Sequence, residues 1–600
     1  MTVDERIASL RALMAERNID VYYIPNEDDH LSAEYTAAYY RAKSWISGFS
    51  GESGCVAVTK DHAYLWTDGR YFTAAEEEIE GTCVELMRMG QEGVPDVMDY
   101  LYDAVPEGGT AGFDGKVVSA QAYADLKKRL ETKNASVHVN EDLAGMVWGD
   151  ERPSMPDAEL FVLEEKYTGE TPAQRIAKVR EDMKKKGADV LVLTSLEDPC
   201  WLLNVRGDDI PCTPVAYAFA VITEENVRYY VDLNKVTDTV RHSLEEAGVS
   251  IKAYDAVEED LRGLHGKKIW AHRRTLNAYL ETCIADDNEI IDEISPVMHY
   301  RSVKNDTEIR CLINAHIKDG AAMVRFLKYI KENACRGGMT ELSAQNYLYA
   351  RRAEMPEYIE PSFPTICAYQ ANGAMMHYSA TEEKYSEIGT RGFLLVDSGG
   401  TYKDGTTDIT RTIAVGELTE TEKMYYTKVL QGHLALARPH FLKGTCGNNL
   451  DILAREPMWD MHIDYQCGTG HGVGHVLGVH EGVHGVRWGL PTAARPSVPF
   501  EAGMIVTDEP GIYLPHVLGV RIENELLVRE AEKNFYGQWL YFEDVTYCPY
   551  DIDAIDVKYL NDIEIEQINS YHEKVCRTLA PLLNEEENAW LKNACRKIER

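Results

Sequence analysis

The chain has 600 residues, of which 44% are hydrophobic, and a formal net charge of −36 at pH 7. One hydrophobic core does not organise a chain of this length, so we expect two to four domains. The excess of acidic residues argues against nucleic acid or a membrane surface as the main partner, since both select clustered Lys and Arg. It suits ligands that carry a positive amine, although most of it is explained by a solvated surface.

The first predicted element is a charged amphipathic helix within MTVDERIASLRALMAERNID, which does not have the pattern of a signal peptide. No run of about eighteen apolar residues, the length of a membrane-spanning helix, occurs in the sequence. We therefore expect a cytoplasmic protein without a membrane partner. Thirteen cysteines are scattered singly, without a C-x-x-C pair, which predicts reduced thiols and no disulfide framework.

The first half of the chain repeats itself once. The segment ERIASLRALMAERNIDVYYIP from Glu5 aligns with QRIAKVREDMKKKGADVLVLT from Gln174, and each predicts a helix, a short turn and a buried strand. Two predicted strands with a polar turn follow each copy, in GCVAVTKDHAYLWTD and YAFAVITEENVRYYVD. We predict two related α/β domains, residues 1–160 and 161–303, joined by the polar stretch WGDERPSMPDAE.

A third domain, residues 304–600, begins with a predicted long helix. Asn305 can cap this helix, with Glu308 three residues later, and apolar residues then recur at helical spacing. Strand-like segments dominate from Phe393 onward, and an amphipathic helical region runs from about residue 563 to the end. The third domain is predicted to be mixed α/β with an antiparallel sheet.

Four carboxylates of the third domain lie within or beside apolar, strand-like runs, at Asp397, Asp408, Glu509 and Glu523. Each one alone has an ordinary explanation, because an acidic residue at a strand end is usually solvated or caps a turn. If the four converge in a buried pocket, their mutual repulsion requires either protonation or bound cations. This many donors suits two divalent ions about 3.5–4 Å apart better than one ion.

The segment CGTGHGVGH has the four-residue spacing of a zinc site at Cys467, His471 and His475. Its alternating glycines disfavour a helix, and in an extended strand Cys467 and His471 have Cα atoms roughly 13 Å apart. That separation is too large for one tetrahedral zinc ion, so a histidine ligand here needs partners from elsewhere. His471 would be a fifth ligand beside the carboxylates, and this donor set favours Mn²⁺ over zinc, with Co²⁺ as a substitute.

The segments VDSGGTYKDGTTDITRT, GTGHGVGHVLGVHEG, TDEPGIY and RIEN resemble the metallopeptidases of pita-bread fold. The likeness is greatest to the long, three-domain, cytosolic form of aminopeptidase P, or Xaa-Pro aminopeptidase. It extends over essentially the whole chain, including WTDGRYF, SFPTI, NGAMMHY and the extension after YFEDVTYCPY. The resemblance implies an α/β protein with two creatinase-like N-terminal domains and a C-terminal pita-bread (α+β) metallopeptidase domain.

The resemblance also implies a dinuclear metal site. Asp397 corresponds to a bidentate ligand of one ion, and Asp408 and Glu523 correspond to the ligands that bridge both ions. His471 and Glu509 correspond to ligands of the other ion. The implied cofactors are two divalent ions, foremost Mn²⁺, with Co²⁺ or Zn²⁺ as alternatives.

Further side chains receive roles from the same resemblance. His377 corresponds to a histidine that contacts substrate and moves protons, and His480 to one that supports the scissile carbonyl. Glu509 is implied to carry a proton to the leaving nitrogen. Without the family, a histidine such as His377 is more often a satisfied structural residue. Residues implied to bind the peptide are Arg70, Tyr513 and Arg521.

The implied activity is hydrolysis of the N-terminal Xaa-Pro bond of peptides by a homodimer, with release of the first amino acid. Prolidase, which cuts dipeptides ending in proline, is the nearest alternative, and the duplicated first half favours the aminopeptidase. A non-catalytic pita-bread binding module is disfavoured because all five ligands are present. The chain departs from the long-form pattern at Cys467, where relatives usually carry a histidine near the proline pocket, and this leaves the pH dependence of that pocket open.

Overall fold

The computed structural model describes residues 1–32, 35–491 and 497–600. They form two compact units, Met1–Leu163 with Glu170–Val297, and Glu164–Gly169 with Met298–Arg600. The two repeats of the sequence both lie in the first unit. The domain boundaries after residues 160 and 303 stay predictions.

The first unit contains two six-stranded mixed sheets of the same topology. The strand after each repeat's first helix pairs antiparallel with the next long strand and parallel with a later one. The first sheet has the order Val84–Arg88, Ala63–Thr67, Cys55–Thr59, Val21–Ile24, Thr110–Phe113, Ser136–His138. The second has the order Val249–Ala253, Val227–Val231, Ala218–Thr223, Val190–Leu193, Lys268–Trp270, Glu289–Ile291. This common order confirms that the two N-terminal α/β folds are related.

Corresponding helices of the two repeats begin in the same way. Val3–Glu16 and Pro172–Lys186 start at Thr2 and Thr171, and each threonine forms a capping box with the residue three positions on. Their apolar stripes are buried, as the periodicity predicts. Further helices of this unit are Ala42–Ser47, Phe72–Glu78, Val97–Ala104, Ala120–Leu130, Leu143–Trp148, Glu197–Leu203, Asp238–Glu246, Ala256–Arg262, Ala278–Cys283.

The second unit is built around the predicted long helix, Asp306–Asn333, which is 28 residues long. Asn305 accepts hydrogen bonds from the first turn, and the Glu308 side chain bonds back to the Asn305 backbone. Other helices of this unit are Glu341–Ala353, Glu420–Ala437, Gly447–Trp459, Asp562–Leu579 and Glu585–Ala594. The last two match the helical region predicted at the end of the chain.

Antiparallel strands position the chemistry of the second unit. One sheet has the order Ile366–Tyr369, Phe393–Ser398, Ile409–Ala414. A larger sheet has the order His440–Leu442, Gly537–Asp544, Asn524–Asn534, Ile505–Asp508, Gly470–Gly472, Glu481–Val486. Smaller pieces are Tyr358–Pro361 with Gly400–Tyr402 and Gly405–Thr406, and the hairpin of Gly511–Leu514 with Leu518–Arg521. The combination of these sheets with the long helices is the predicted α+β arrangement.

All thirteen cysteines are free thiols. Among the helices of the described residues, none is both long enough and apolar enough to span a membrane.

Candidate metal centre

Strands of the two larger sheets of the second unit carry the predicted metal ligands. Asp397 lies in one strand of the three-stranded sheet, and Asp408 immediately precedes its antiparallel neighbour. His471, Glu509 and Glu523 lie in or directly beside strands of the six-stranded sheet. Alternation along a strand directs every second side chain to the same face, so strand-end acids of neighbouring sheets can meet.

Asp408, His471 and Glu523 form a compact, buried group of potential metal ligands. One donor atom from each residue lies within 4.8 Å of the other two. Nε2 of His471 is 3.4 Å from Oδ2 of Asp408 and 3.5 Å from Oε1 of Glu509. Four of the five predicted ligands therefore converge around the His471 imidazole.

The fifth predicted ligand, Asp397, is held by a guanidinium group. Nη2 of Arg521 donates to Oδ2 of Asp397 at 2.5 Å, and Nη1 donates to the Tyr513 hydroxyl at 2.7 Å. Arg521 is only 3% exposed. Oδ1 of Asp397 is buried without a hydrogen-bond partner, so it offers free lone pairs. The predicted substrate residues Arg521 and Tyr513 are thus joined to the acidic cluster through Asp397.

Thr410 connects this guanidinium to the ligand group, a role that the sequence reasoning missed. Nε of Arg521 donates to the Thr410 hydroxyl at 3.1 Å, and that hydroxyl donates to Oε2 of Glu523 at 2.7 Å. Thr410 follows Asp408 by two residues in a strand, so the period of two was a usable signal for a shared face.

Burial and mutual repulsion make the carboxylates of the cluster resist ionisation, whereas the same carboxylates favour a protonated His471. Burial raises the pKa of Asp408, and the charges of Asp397 and Glu509 add to this effect. Burial and the neighbouring carboxylates also raise the pKa of Glu523 well above its usual range. Burial alone would lower the pKa of His471, but its hydrogen bond to Asp408 and the charges of Glu509 and Asp408 outweigh burial and raise the pKa to about 9.

Bound divalent cations would neutralise the repulsion between these buried carboxylates. Repelling carboxylates in a buried site need positive charge, and Oδ1 of Asp408, like Oδ1 of Asp397, is buried without a hydrogen-bond partner. Coordination of the His471 imidazole would replace its proton. Four carboxylates with one imidazole form a donor set that fits hard or borderline divalent ions. The residues present therefore fit a metal centre.

Local structure fixes the orientation of His471. Nδ1 lies 2.9 Å from the Gly472 carbonyl oxygen, which leaves Nε2 directed at the carboxylates. A Cβ at Gly470 would lie 1.9 Å from the Thr507 carbonyl oxygen. The glycine next to His471 thus permits the close approach of the neighbouring strand.

The predicted extended strand around His471 is shorter than the glycine alternation indicates. The strand comprises Gly470–Gly472, and Val476 adopts a left-handed conformation with φ 54° in the turn that follows. Nε2 of His475 lies 3.0 Å from the Tyr167 carbonyl oxygen, as in a structural hydrogen bond. Within the described part of the chain, the compact ligand group includes neither Cys467 nor His475.

Cys467 lies beside the predicted substrate residues. It is half-buried and packs against the same apolar cluster as Tyr513. Burial and the charge of Glu509 raise the pKa of its thiol to about 12, against the opposing effects of Arg521 and Arg455. The thiol is therefore neutral at physiological pH.

A buried acid and a buried histidine, Glu525 and His316, lie behind Asp408 and were not predicted. The Asp408 backbone N–H donates to Oε1 of Glu525 at 2.7 Å, and Nε2 of His316 is 3.1 Å from Oε2 of Glu525. Glu525 follows Glu523 by two residues, so the strand period again carried a signal. A second such pair, His433 and Asp508 at 3.1 Å, adjoins Glu509 in sequence.

The remaining predicted residues differ in their placement. The ring of His480, an exposed residue, contacts that of His471 edge-on, with centroids 4.2 Å apart. His377 is half-buried and follows the short helix Gln370–Ala374. Arg70 is exposed in the first unit and pairs with Asp68 at 2.8 Å. The roles of these residues in peptide binding and proton transfer stay predictions.

Family models match successive parts of the chain. They describe a creatinase/prolidase N-terminal domain over residues 6–143, a second one over 151–308, metallopeptidase family M24 over 310–530, and the C-terminal region of that peptidase over 538–598. A probable Xaa-Pro aminopeptidase P from Laccaria bicolor is 38% identical, over 98% of this chain and 93% of the relative. The chain belongs to metallopeptidase family M24.

Two further proteins are similar over the whole of this chain. Aminopeptidase P2 from Arabidopsis thaliana is 36% identical, over 100% of this chain and 89% of the relative. The crystal structure of X-prolyl aminopeptidase from Caenorhabditis elegans, described as a cytosolic enzyme with a di-nuclear active site, has a TM-score of 0.93 and 31% identity and covers 100% of both chains. The predicted fold, two creatinase-type N-terminal domains and an M24 pita-bread domain, is confirmed.

Proposed function

We propose that this protein is a metal-dependent aminopeptidase that hydrolyses the N-terminal Xaa-Pro bond of peptides and releases the first amino acid. The observation that carries the proposal is the buried convergence of Asp408, His471 and Glu523, with Glu509 beside His471. Similarity over the whole chain to proteins named Xaa-Pro or X-prolyl aminopeptidase supports the substrate class.

The proposed cofactors are two divalent cations, with Mn²⁺ as the first candidate because the donors are mostly oxygen. Asp397, Asp408, His471, Glu509 and Glu523 would hold these cations. When bound, the cations supply Lewis acidity, which activates water near neutral pH and polarises the peptide carbonyl.

The side chains around the ligands supply binding and proton transfer. Glu509 is half-buried, so its carboxylate can accept a proton and pass it on toward the leaving proline nitrogen. His480, edge-on to His471, supports the carbonyl oxygen as negative charge develops there. His377 is proposed to contact the substrate and to help return the proton. The acidic cluster attracts the N-terminal amine, which favours exopeptidase action.

Arg521 and Tyr513 are proposed to shape the proline side of the pocket. Their mutual hydrogen bond at 2.7 Å and the bond of Arg521 to Asp397 fix the orientation of both side chains. Arg70 is proposed to bind peptide as part of a homodimer, and the protein is proposed to act in the cytoplasm. The domain boundaries after residues 160 and 303 belong to the same proposal.

Peptide hydrolysis by the purified, Mn²⁺-loaded protein tests the substrate class. We expect Ala-Pro-Ala to be cleaved much faster than Ala-Ala-Ala, and Gly-Pro-Pro faster than Gly-Pro. Comparable rates on the two alanine peptides would refute the proline preference. Faster cleavage of Gly-Pro than of Gly-Pro-Pro would instead indicate a prolidase.

A further inference from the structure

A cavity of the second unit lies on the opposite side of the strand Ile409–Ala414 from the metal centre. The hydroxyls of Thr410 and Thr412 bond to Arg521, and the alternate residues Arg411 and Ile413, together with Thr412, line the cavity. The cavity has a volume of about 230 Å³. Because an engineered apolar cavity of about 150 Å³ holds benzene, this space suffices for a small organic ligand.

One wall of the cavity is apolar. Leu327 of the long helix, Ile413 of the strand, and Trp590 and Ala594 of the last helix contribute to it. Such a wall contacts an aliphatic or aromatic group, and removing that group from water stabilises the complex. A purely ionic ligand such as phosphate would leave this wall unused.

The ionisable side chains that line the cavity carry one excess positive charge. Lys331, Arg411 and Arg596 are opposed by two acids, Asp551 and Asp553. Lys331 lies 2.6 Å from Asp551 and 3.2 Å from Asp553, and Arg596 lies 2.7 Å from Asp553. The third cation, Arg411, accounts for the excess.

Arg411 is a buried guanidinium without a carboxylate partner among the described residues. It is 1% exposed. Its hydrogen bonds go to neutral oxygens, those of Thr410, Glu523 (backbone), Asn524, Cys548, Pro549 and Tyr571. A buried charge that is balanced only by dipoles favours a nearby anion. The ligand that suits this cavity therefore carries a carboxylate.

We propose that this cavity binds a free α-amino acid with an apolar side chain. Its carboxylate complements the excess positive charge of Arg411, Lys331 and Arg596, and its ammonium group complements Asp551 and Asp553. Its side chain covers the apolar wall. A simple fatty carboxylate would leave the two acids without a new partner, and an amine alone would meet the excess positive charge.

The cavity is connected to the metal centre by a short chain of hydrogen bonds. Nη1 of Arg411 donates to the Glu523 carbonyl oxygen at 2.6 Å and to the Thr410 carbonyl oxygen at 2.9 Å. The Thr410 hydroxyl donates to the Glu523 carboxylate at 2.7 Å. A ligand in the cavity that shifts Arg411 would therefore also shift the backbone of Glu523, a predicted metal ligand. That this occupant is a product of the enzyme rests on the proposed function, whereas binding itself does not.

Isothermal titration calorimetry of the metal-loaded protein tests the proposal with L-leucine as the probe. We expect L-leucinamide, which lacks the carboxylate, and 4-methylpentanoate, which lacks the ammonium group, to bind at least tenfold more weakly. Ala594→Phe fills the cavity from its wall, and we expect it to weaken leucine binding at least tenfold. Because calorimetry does not require turnover, failure of the peptidase assay leaves this test intact.

A neighbouring pair of residues provides a second variant and its control. Arg596→Gln removes a lining charge and should also weaken leucine binding, whereas Lys597→Gln, an exposed neighbour, should not. Leucine bound at the metal centre would be insensitive to Ala594→Phe and Arg596→Gln. An unchanged leucine affinity in both variants, equal binding of leucine and leucinamide, or no binding to the wild-type protein would overturn the proposal.

Discussion

Among single side chains, Cys467 stands where the family resemblance leads us to expect a histidine. Its half-buried thiol, with a pKa raised to about 12 by burial and by Glu509, stays neutral near physiological pH. An imidazole at this position would titrate near pH 6.5. We predict that Cys467→His retains the metals and measurable activity, but changes KM for proline peptides and adds or shifts an acidic limb in the pH profile of kcat/KM.

Cys467→Ala is the control for that substitution, because it removes the thiol without adding an ionisation. We expect it to leave the shape of the pH profile unchanged. If Cys467→His also leaves both KM and the pH profile unchanged, the residue only fills space. Loss of metal from Cys467→Ala would show that the cysteine is a ligand.

His377 is predicted to act on protons and substrate without holding metal. His377→Ala should therefore lower kcat by about 10²–10⁴-fold, the usual contribution of a positioned acid or base. Metal content, measured by inductively coupled plasma mass spectrometry, should stay close to that of the wild-type protein. If His377→Ala lost metal as Asp408→Ala is expected to, the predicted role of His377 would be wrong.

The residues around Asp408 illustrate how much of the site can be predicted from sequence. The sequence shows Asp408 and Glu523 as acids beside apolar strands, and it predicts that they converge if they bind metal. In the structure they lie close to His471. The supporting residues Thr410 and Glu525 were missed, although each follows a predicted ligand by two residues. Their partners come from distant segments, and a local pattern cannot show which distant residues meet across two sheets.

Among the secondary-structure elements, the long helix Asp306–Asn333 supports the metal centre through His316. The helix places this histidine 3.1 Å from Glu525, whose other oxygen accepts the Asp408 backbone N–H. Glu525→Gln keeps the same shape but removes the charge opposite His316. We predict that it weakens metal affinity or lowers activity about 10–100-fold, as for other residues that orient metal ligands.

Metal affinity is measured by titrating the apoprotein with metal in competition with a chelating dye. The activity of the metal-loaded protein is measured separately as kcat. Glu530→Gln is the matched control, because Glu530 lies on the same strand but is exposed. If Glu525→Gln and Glu530→Gln behave alike, the pair behind Asp408 does not position the site.

Helices and strands with strong local signals were predictable, and those that depend on tertiary contacts were not. The capping box at Asn305 gave a correct helix start, and the helix of each repeat was predicted. The helices Glu420–Ala437 and Gly447–Trp459 lie in a region predicted to be dominated by strands. A capping box at Thr419 marked the first of them. In CGTGHGVGH, the strand comprises three residues, a length that glycine alternation alone does not determine.

For the molecule as a whole, a buried histidine predicts a loss of stability in acid. Burial and the charge of Arg411 lower the pKa of His572 from 6.5 to about 3. Between these values the unfolded chain binds more protons than the folded one, so stability falls as pH decreases from 6.5 towards 3. The loss from this group is at most about 1.4 kcal/mol per pH unit, and its contribution is fully present above pH 6.5.

This contribution is measured by comparing the thermal midpoints of the wild-type protein and of His572→Gln between about pH 4 and pH 8. The change in their difference with pH reports the titration of this one group. Glutamine can accept the Tyr550 backbone hydrogen bond, now accepted by Nε2 of His572 at 3.0 Å, but it does not titrate. The wild-type midpoint should fall relative to that of the variant as pH decreases. His462→Gln, at an exposed histidine, is the control. A difference that stays constant with pH would contradict the prediction.

The central claim is that the buried carboxylates and His471 hold two catalytic cations, and metal content measured together with peptidase activity tests it most directly. We predict close to two divalent ions per chain in the active protein, in keeping with the donors counted at the site. Asp408→Ala, at the centre of the ligand group, should lose both metal and Xaa-Pro cleavage. Full activity of the protein in excess chelator, or of Asp408→Ala with unchanged metal content, would contradict the account.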